Sequence, residues 1–337
     1  MLITLVAMLA CTAYALDPVP NESGFSGFIR AGAGVLKYES NMVAGNNLMD
    51  VGDETINSLT DEPDSETTGM GMFNFELAYT FASTRTQLTL GSQIEDIARL
   101  ELGQQLAVKQ ELPDKSILSI GFLFSGIPTE VWEDPYLTDS ARQETDRDST
   151  GARLVYDRIL GSSFEFRYSY RSIEIDNEES GLSPSLGLSP AERGLLRRDG
   201  DNHYLDLNYR FDFGDRHRLV SGITYFNEDR DGDAMSNSGM DFQLTYFFFN
   251  DPVTLVVNGL VGWADFDEDN PIYDKAREDD RYAAGVQYYY KNPFGWKPLG
   301  HEDFSVFASG SYLLEDADID FYDTEVITAL AGVLFRF

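Results

Sequence analysis

Apolar and polar residues alternate along most of this chain with a period of two. Phe73, Phe75, Leu77, Tyr79 and Phe81 interleave with Asn74, Glu76, Ala78 and Thr80. Leu205, Leu207, Tyr209, Phe211 and Phe213 alternate in the same way with Asp206, Asn208, Arg210 and Asp212. Phe164, Phe166, Tyr168 and Tyr170 do so with Glu165, Arg167, Ser169 and Arg171. Successive side chains of a strand point to opposite faces, so each segment is predicted to be a strand with one apolar and one polar face. Clusters of Gly, Pro, Asn and Asp bound the segments, as turns require.

Segment length then separates two kinds of all-β protein. Strands of a soluble sandwich average about five or six residues, whereas a tilted strand needs roughly 9 to 11 to cross the hydrocarbon of a membrane. The segments here have the longer extent, near 25–38, 70–82, 85–95, 98–112, 116–127, 149–160, 162–176, 201–213, 217–228, 238–249, 253–266, 280–291, 303–315 and 325–337. In lipid only a closed sheet keeps every backbone group paired. The pattern therefore predicts a single transmembrane antiparallel up-and-down β-barrel of about 14 strands, with twelve or sixteen as neighbouring solutions. The connections alternate as well: tight turns at 82–84, 113–115, 160–162, 214–216 and 250–252, and long ones at 40–69, 128–149, 176–200, 229–238 and 267–279. Short turns on one rim and long loops on the other are usual for such barrels. This puts both chain ends on the periplasmic side.

The two ends agree with export to an outer membrane. Residues 1–15 combine an apolar stretch from Leu2 to Ala10 with Ala13-Tyr14-Ala15, a small-residue cleavage pattern, so a signal peptide is expected there with the barrel in 16–337. Cys11, the only cysteine, would leave with it, although it can also be read as an acylation site. The last strand alternates Ile327, Ala329, Ala331, Val333, Phe335 and Phe337 to a terminal aromatic, and Phe335 with Phe337 resembles the signal read by the barrel assembly machinery. Aromatic runs such as Tyr246-Phe247-Phe248-Phe249 and Tyr288-Tyr289-Tyr290 suit the interfacial girdles of a barrel.

Three further motifs carry a family resemblance: Gly24-Phe25-Ser26-Gly27-Phe28, Asn292-Pro293-Phe294-Gly295-Trp296 and Asp318-Ile319-Asp320-Phe321-Tyr322-Asp323. With the strand pattern, they make the chain resemble a gammaproteobacterial outer-membrane family known only as a domain of unknown function (DUF2860). The resemblance implies a barrel in the outer membrane of a Gram-negative bacterium and implies no activity.

Composition narrows the chemistry. The formal net charge of -32 disfavours nucleic acid, which needs concentrated Lys and Arg. Aromatic richness, with 23 Phe and 18 Tyr, excludes a disordered acidic chain. Charged residues within the strands should turn away from lipid, since a charge on the lipid face at mid-membrane costs about 2–4 kcal/mol. Arg99, Glu101, Arg153, Asp157, Glu165, Arg167, Arg171, Asp206, Arg210 and Arg281 are therefore expected to line the lumen. Loop 40–69 carries Asp50, Asp53, Glu54, Asp61, Glu62, Asp64 and Glu66 without Lys or Arg. It is expected to be a solvated face, or, folded inward, an acidic constriction opposite the arginines.

Asn227, Asp229, Asp231 and Asp233 around Gly232 match the first half of a calcium loop. Ser238 stands where the bidentate Glu would be, so Asp and Asn serving an exposed turn is the simpler reading. Of the three histidines, only His203 reaches the outer rim, and no nucleophile elbow accompanies it, so an enzyme is not expected. The leading expectation is a passive channel for small hydrophilic solutes with acidic outer loops. The alternatives are a poreless barrel that binds cations or lipopolysaccharide and, last, a barrel enzyme.

Overall fold

Period-two alternation closes on itself in three dimensions. The computed structural model describes residues 18–96, 98, 100–295 and 304–337. The expected signal peptide with Cys11, and also Arg99, Trp296 and His301, lie outside the described residues.

Fourteen long strands form the barrel: β1 (Gly24–Glu39), β4 (Ser65–Phe81), β5 (Thr86–Asp96), β6 (Glu101–Glu111), β7 (Ile117–Ile127), β9 (Glu144–Asp157), β10 (Phe164–Ile175), β11 (Gly200–Phe213), β12 (His217–Arg230), β13 (Asn237–Asn250), β14 (Val253–Phe266), β15 (Glu278–Lys291), β16 (Phe304–Ala317) and β17 (Thr324–Arg336). Each pairs antiparallel with the next, and β1 pairs with β17 to close the ring, from Phe28↔Arg336 to Glu39↔Glu325. Three short strands, β2 (Val43–Asn46), β3 (Met49–Asp50) and β8 (Thr129–Trp132), belong to the outer loops. Among the described residues no helix is long and apolar enough to cross a membrane.

The outer face is an apolar band. Phe73, Leu106, Ile120, Phe122, Leu244 and Val261 are all exposed on it. At the short-turn margin the rings form edge-on ladders, Phe25–Tyr79–Phe81 and Phe164–Tyr209–Phe211, with centroids 4.4–4.9 Å apart. Such rings anchor a barrel at the level of lipid headgroups.

Several strands run beyond the membrane-length segments. β4 begins at Ser65 and β9 at Glu144, about five residues before the alternation becomes apolar, because ladder hydrogen bonds continue above the lipid where both faces are polar. β6 begins at Glu101 rather than at 98, and Ala98 and Leu100 are buried in the apolar cluster of the lumen.

The inner face departs from a uniformly polar lining. Leu36, Met72, Leu260, Phe307, Leu313, Val326, Leu330 and Leu334 point inward from β1, β4 and β14–β17, and they pack with Ala98, Leu100, Val43 and Val51 as one cluster. At the closing seam Gly32 faces Gly332, and the Phe307 ring occupies the space their missing Cβ atoms leave. The interior thus has an apolar half and a charged half.

Candidate functional site

The charged half of the lumen is built by β6 and by β9–β13 with β15, each offering every second residue. Glu101, Arg153, Asp157, Glu165, Arg171, Asp206 and Arg281 are buried, and Arg167 and Arg210 are half-buried. Glu101 is the hub of the upper tier. Its carboxylate accepts from Arg147 Nη1 at 3.0 Å and from Ser149 Oγ, and it pairs with Arg171. Arg281 faces Asp241 at 3.3 Å and Glu315 at 3.6 Å, with its guanidinium 4.6 Å from the centre of the Phe226 ring.

Lower down, Arg153 donates to Ser169 Oγ and Gln105 Oε1, and Asp206 accepts from Thr224. Arg167 pairs with Glu165 at 2.9 Å. Nearest the short turns, Arg210 pairs with Asp212 and Asp157 with Arg158. Of the residues singled out from the sequence, the fold joins Glu101 to Arg171 and Arg167 to Glu165, and it sets Asp206 opposite Arg167 and Asp157 opposite Glu165 on neighbouring strands.

The richest part of the site was not singled out. A cavity of about 90 Å³ lies under the outer mouth, walled by Arg147, Arg198, Arg230, Arg277, Glu228 and Glu315 together with Met42, Val43, Phe266 and Tyr322, and Arg277 stacks over the Phe266 and Tyr322 rings. Its arginines are all paired: Arg198 with Glu178, Arg230 with Glu228, Arg277 with Asp279 and Arg147 with Glu101. Arg230, Arg277 and Asp279 obey the inward parity of β12 and β15, so alternation carried to the polar ends of those strands would have found them. Arg198 sits in a loop and offered no such signal.

Above the cavity the outer loops pack into a cap. Tyr136, Leu196, Ile319, Phe321 and Tyr322 are buried together, against Met42, Ile56, Leu188, Met235 and Tyr273. Among the described residues six outer connections contribute, and Ala98 and Leu100, between β5 and β6, are buried in the lumenal cluster instead. The hydroxyls of Tyr136 and Tyr322 lie 2.7 Å apart, and Asn270 donates to that of Tyr322 at 2.6 Å. Arg142 stacks 4.3 Å over Trp132 and donates to the carbonyls of Asn41, Pro135 and Asp53, tying loop 40–64 to loop 133–143. Burial pushes the Tyr136 hydroxyl well above its ordinary range and raises that of Tyr322, so both stay neutral.

One cap carboxyl titrates in reach of neutrality. Burial raises Asp323 from 3.8 to about 6, opposed by the hydrogen bond it accepts from Ala317 N–H and reinforced by the charges of Asp316, Glu62 and Asp320. Below 3.8 docked and released loops both hold the proton; between there and about 6 only the released loop ionises, so docking weakens as pH rises through about 6. The cap is therefore expected to sit tighter in acid than at neutral pH, read as slower cleavage of the outer loops by a protease active at both pH values. Asp323→Asn should flatten that dependence, and an unchanged profile in the variant would exclude this carboxyl as its source.

The remaining candidates fall elsewhere. Val43, Ala44 and Val51 are the parts of loop 40–64 that turn inward, while Asp50, Glu54, Asp61, Glu62, Asp64 and Glu66 stay exposed and Asp53 half-buried. The acidic constriction is thus overturned, because burying paired backbone and apolar side chains is cheaper than desolvating a row of like charges. Asn227 and Asp229 lie in extended backbone on β12, and Asp231 pairs with Arg197 at 3.4 Å while Asp233 is exposed. Among the described residues no three His, Cys, Asp or Glu side chains stand close enough to hold a metal ion. His203 is on the outer wall, 2.8 Å from the Tyr168 hydroxyl and 5.3 Å from the Tyr170 ring. Phe337 pairs by both backbone groups with Gly27, at 3.0 Å each, and its ring stacks on Phe335.

Comparison with known proteins gives a family. The model of the family described as Protein of unknown function (DUF2860) matches residues 24–336, so the chain belongs to that family. No curated protein matches. Among solved structures, the chain is similar to the outer membrane channel DcaP of Acinetobacter baumannii (10% identity, covering 94% of this chain and 97% of that one, TM-score 0.44). It is also similar to a Pseudomonas aeruginosa FadL homologue (12%, 93% and 89%, TM-score 0.45) and to an anion-selective porin from Comamonas acidovorans (10%, 94% and 100%, TM-score 0.40).

Proposed function

For this member of a family of unknown function, we propose an outer-membrane channel that rests closed and passes small hydrophilic solutes when its outer loops part. The observation that carries this is the cavity beneath the six-loop cap, with paired arginines and carboxylates continuing below it along the charged half of the lumen. A wall offering both signs, each already neutralised, lets a polar solute exchange partners as it passes without meeting a large net field. A ring of about 14 strands is wide enough for water once side chains part. With His203 on the outer wall among tyrosines, the role proposed is transport rather than catalysis.

Planar-bilayer recordings of the purified protein test the channel. Wild type is expected to give rare single-channel steps and the cap variant Phe321→Ala frequent ones. Absence of steps from both would overturn the channel in favour of a sealed structural barrel, which the packed apolar half of the lumen also suits.

The proposed location brings lipopolysaccharide and the barrel assembly machinery as partners, the latter through Phe335 and Phe337. Deleting Phe337 removes the last strand pair at the seam, so expression of the deleted chain is expected to leave less heat-modifiable barrel in outer-membrane fractions. Equal yields from deleted and full-length chains would remove Phe337 from assembly.

A further inference from the structure

The barrel wall is not stitched evenly. β1 and β4 pair from Gly24↔Thr80 to Glu39↔Ser65, whereas β4 and β5 pair only from Glu76↔Gly91 to Phe81↔Thr86. Above that point β4 continues along β1, while β5 stays with β6, from Ser92↔Gln104 to Asp96↔Glu101. Side-chain bonds mark the fork: Phe75 N–H donates to Ser92 Oγ at 3.2 Å, and Asn74 Nδ2 donates to the Ser92 carbonyl at 3.4 Å.

The cause lies in the lumen. The tip of the β5–β6 hairpin is drawn inward, where Ala98 and Leu100 join the apolar cluster and the Tyr38 hydroxyl donates to the Ala98 carbonyl. Over the gap runs the β2–β3 hairpin, and β2 pairs with β8, which pairs with β9, so the wall closes again at the outer rim. A window remains, framed by β4, the β5–β6 hairpin, the end of β7 and the β2–β3 hairpin.

A cavity of about 190 Å³ occupies this window. Its lining leads from the lumenal Leu36 and Met72, both buried, past Met49 and Leu102, to Phe73 and Leu48, which are 66% and 65% exposed. None of the described lining residues is charged, and three are methionines, whose flexible side chains adapt to varied apolar shapes. Gly71 and Gly69 face open space, with no heavy atom within 4 Å of where a Cβ would stand.

The window's height is set by the neighbouring strand. Outward residues of β1 stay apolar up to Val35, which is exposed and lies opposite Gly69. The gap therefore opens in the outer part of the apolar band. There a missing ladder costs most, since lipid cannot replace the bonds.

We propose that the window is a lateral portal through which an apolar molecule, or the alkyl chain of an amphiphile, passes between the apolar half of the lumen and the outer leaflet. The portal does not depend on ions crossing the lumen, so it stands or falls apart from the bilayer recordings above.

Uptake of 1-N-phenylnaphthylamine by intact Gram-negative cells expressing the full chain tests it. Cells with the wild-type barrel should take up the probe faster than cells without it, and Gly71→Trp, filling the window, should return uptake to the level of cells without the protein. Val257→Trp, on the lipid face of β14 away from the window, should leave uptake as in wild type. Heat-modifiable migration checks that each variant assembles, and Met70→Trp, at another lining residue, repeats the test if Gly71→Trp does not. No gain with wild type, or Gly71→Trp as fast as wild type in an assembled barrel, overturns the portal.

Discussion

Phe321→Ala is expected to unlock the outer mouth while leaving the barrel standing. The Phe321 side chain is fully buried, stacked on Tyr136 at 5.5 Å, tilted toward Tyr273 at 6.2 Å and edge-on to Tyr322 at 5.2 Å. Truncating a buried Phe typically costs about 3–5 kcal/mol, from lost apolar burial and from the cavity left behind. Here the loss falls on loop–loop packing, because no ladder of the barrel passes through Phe321. The loops should then open locally without global unfolding. Limited proteolysis should cut within 40–64, 176–199 and 267–277 much faster than in wild type, and bilayer recordings should show frequent steps. Proteolysis unchanged from wild type would show that the loops hold together without this ring, and the account of the cap would have to be abandoned.

Glu101→Gln is expected to have the larger effect on stability. One carboxylate neutralises Arg147 and Arg171 and also accepts from Ser149, in a place where none of these side chains reaches solvent. Removing one partner of a buried ion pair leaves the other charge uncompensated and costs roughly 3–5 kcal/mol. Because Glu101 begins β6 and its partners sit on β9 and β10, the pairs also tie the start of β6 to strands two and three places along the wall. The midpoint of urea unfolding in lipid vesicles should fall, and the double variant Glu101→Gln with Arg171→Met should recover part of the loss. Failure of the double variant to recover anything would mean that the pairing is not what Glu101 contributes.

Much of this was legible in the chain. Alternation is a local property, so Phe73 to Phe81 and Leu205 to Phe213 announce their strands without knowledge of any neighbour. Fourteen such segments with alternating short and long connections leave little but a closed barrel. Inward parity likewise follows from two residues of context, which is why Arg153 and Asp206 can be placed on the lumenal face from sequence.

The amino-acid sequence by itself determined the strand segments, roughly how many there are, the parity of their faces and the aromatic terminus at Phe337, and the closed ring fixed the number at fourteen. Only the tertiary structure decided that Glu101 meets Arg147 and Arg171, that Phe321 finds Tyr136 across 185 residues of chain (321 − 136), and that β4 parts from β5 above Glu76. The physical reason is range. Which face a strand residue takes is set by its own backbone, whereas a cap, an ion-pair hub or a gap in the wall depends on where the closed ring brings distant loops. Loops without periodicity, such as 40–64 and 176–199, carry no local signal of that meeting.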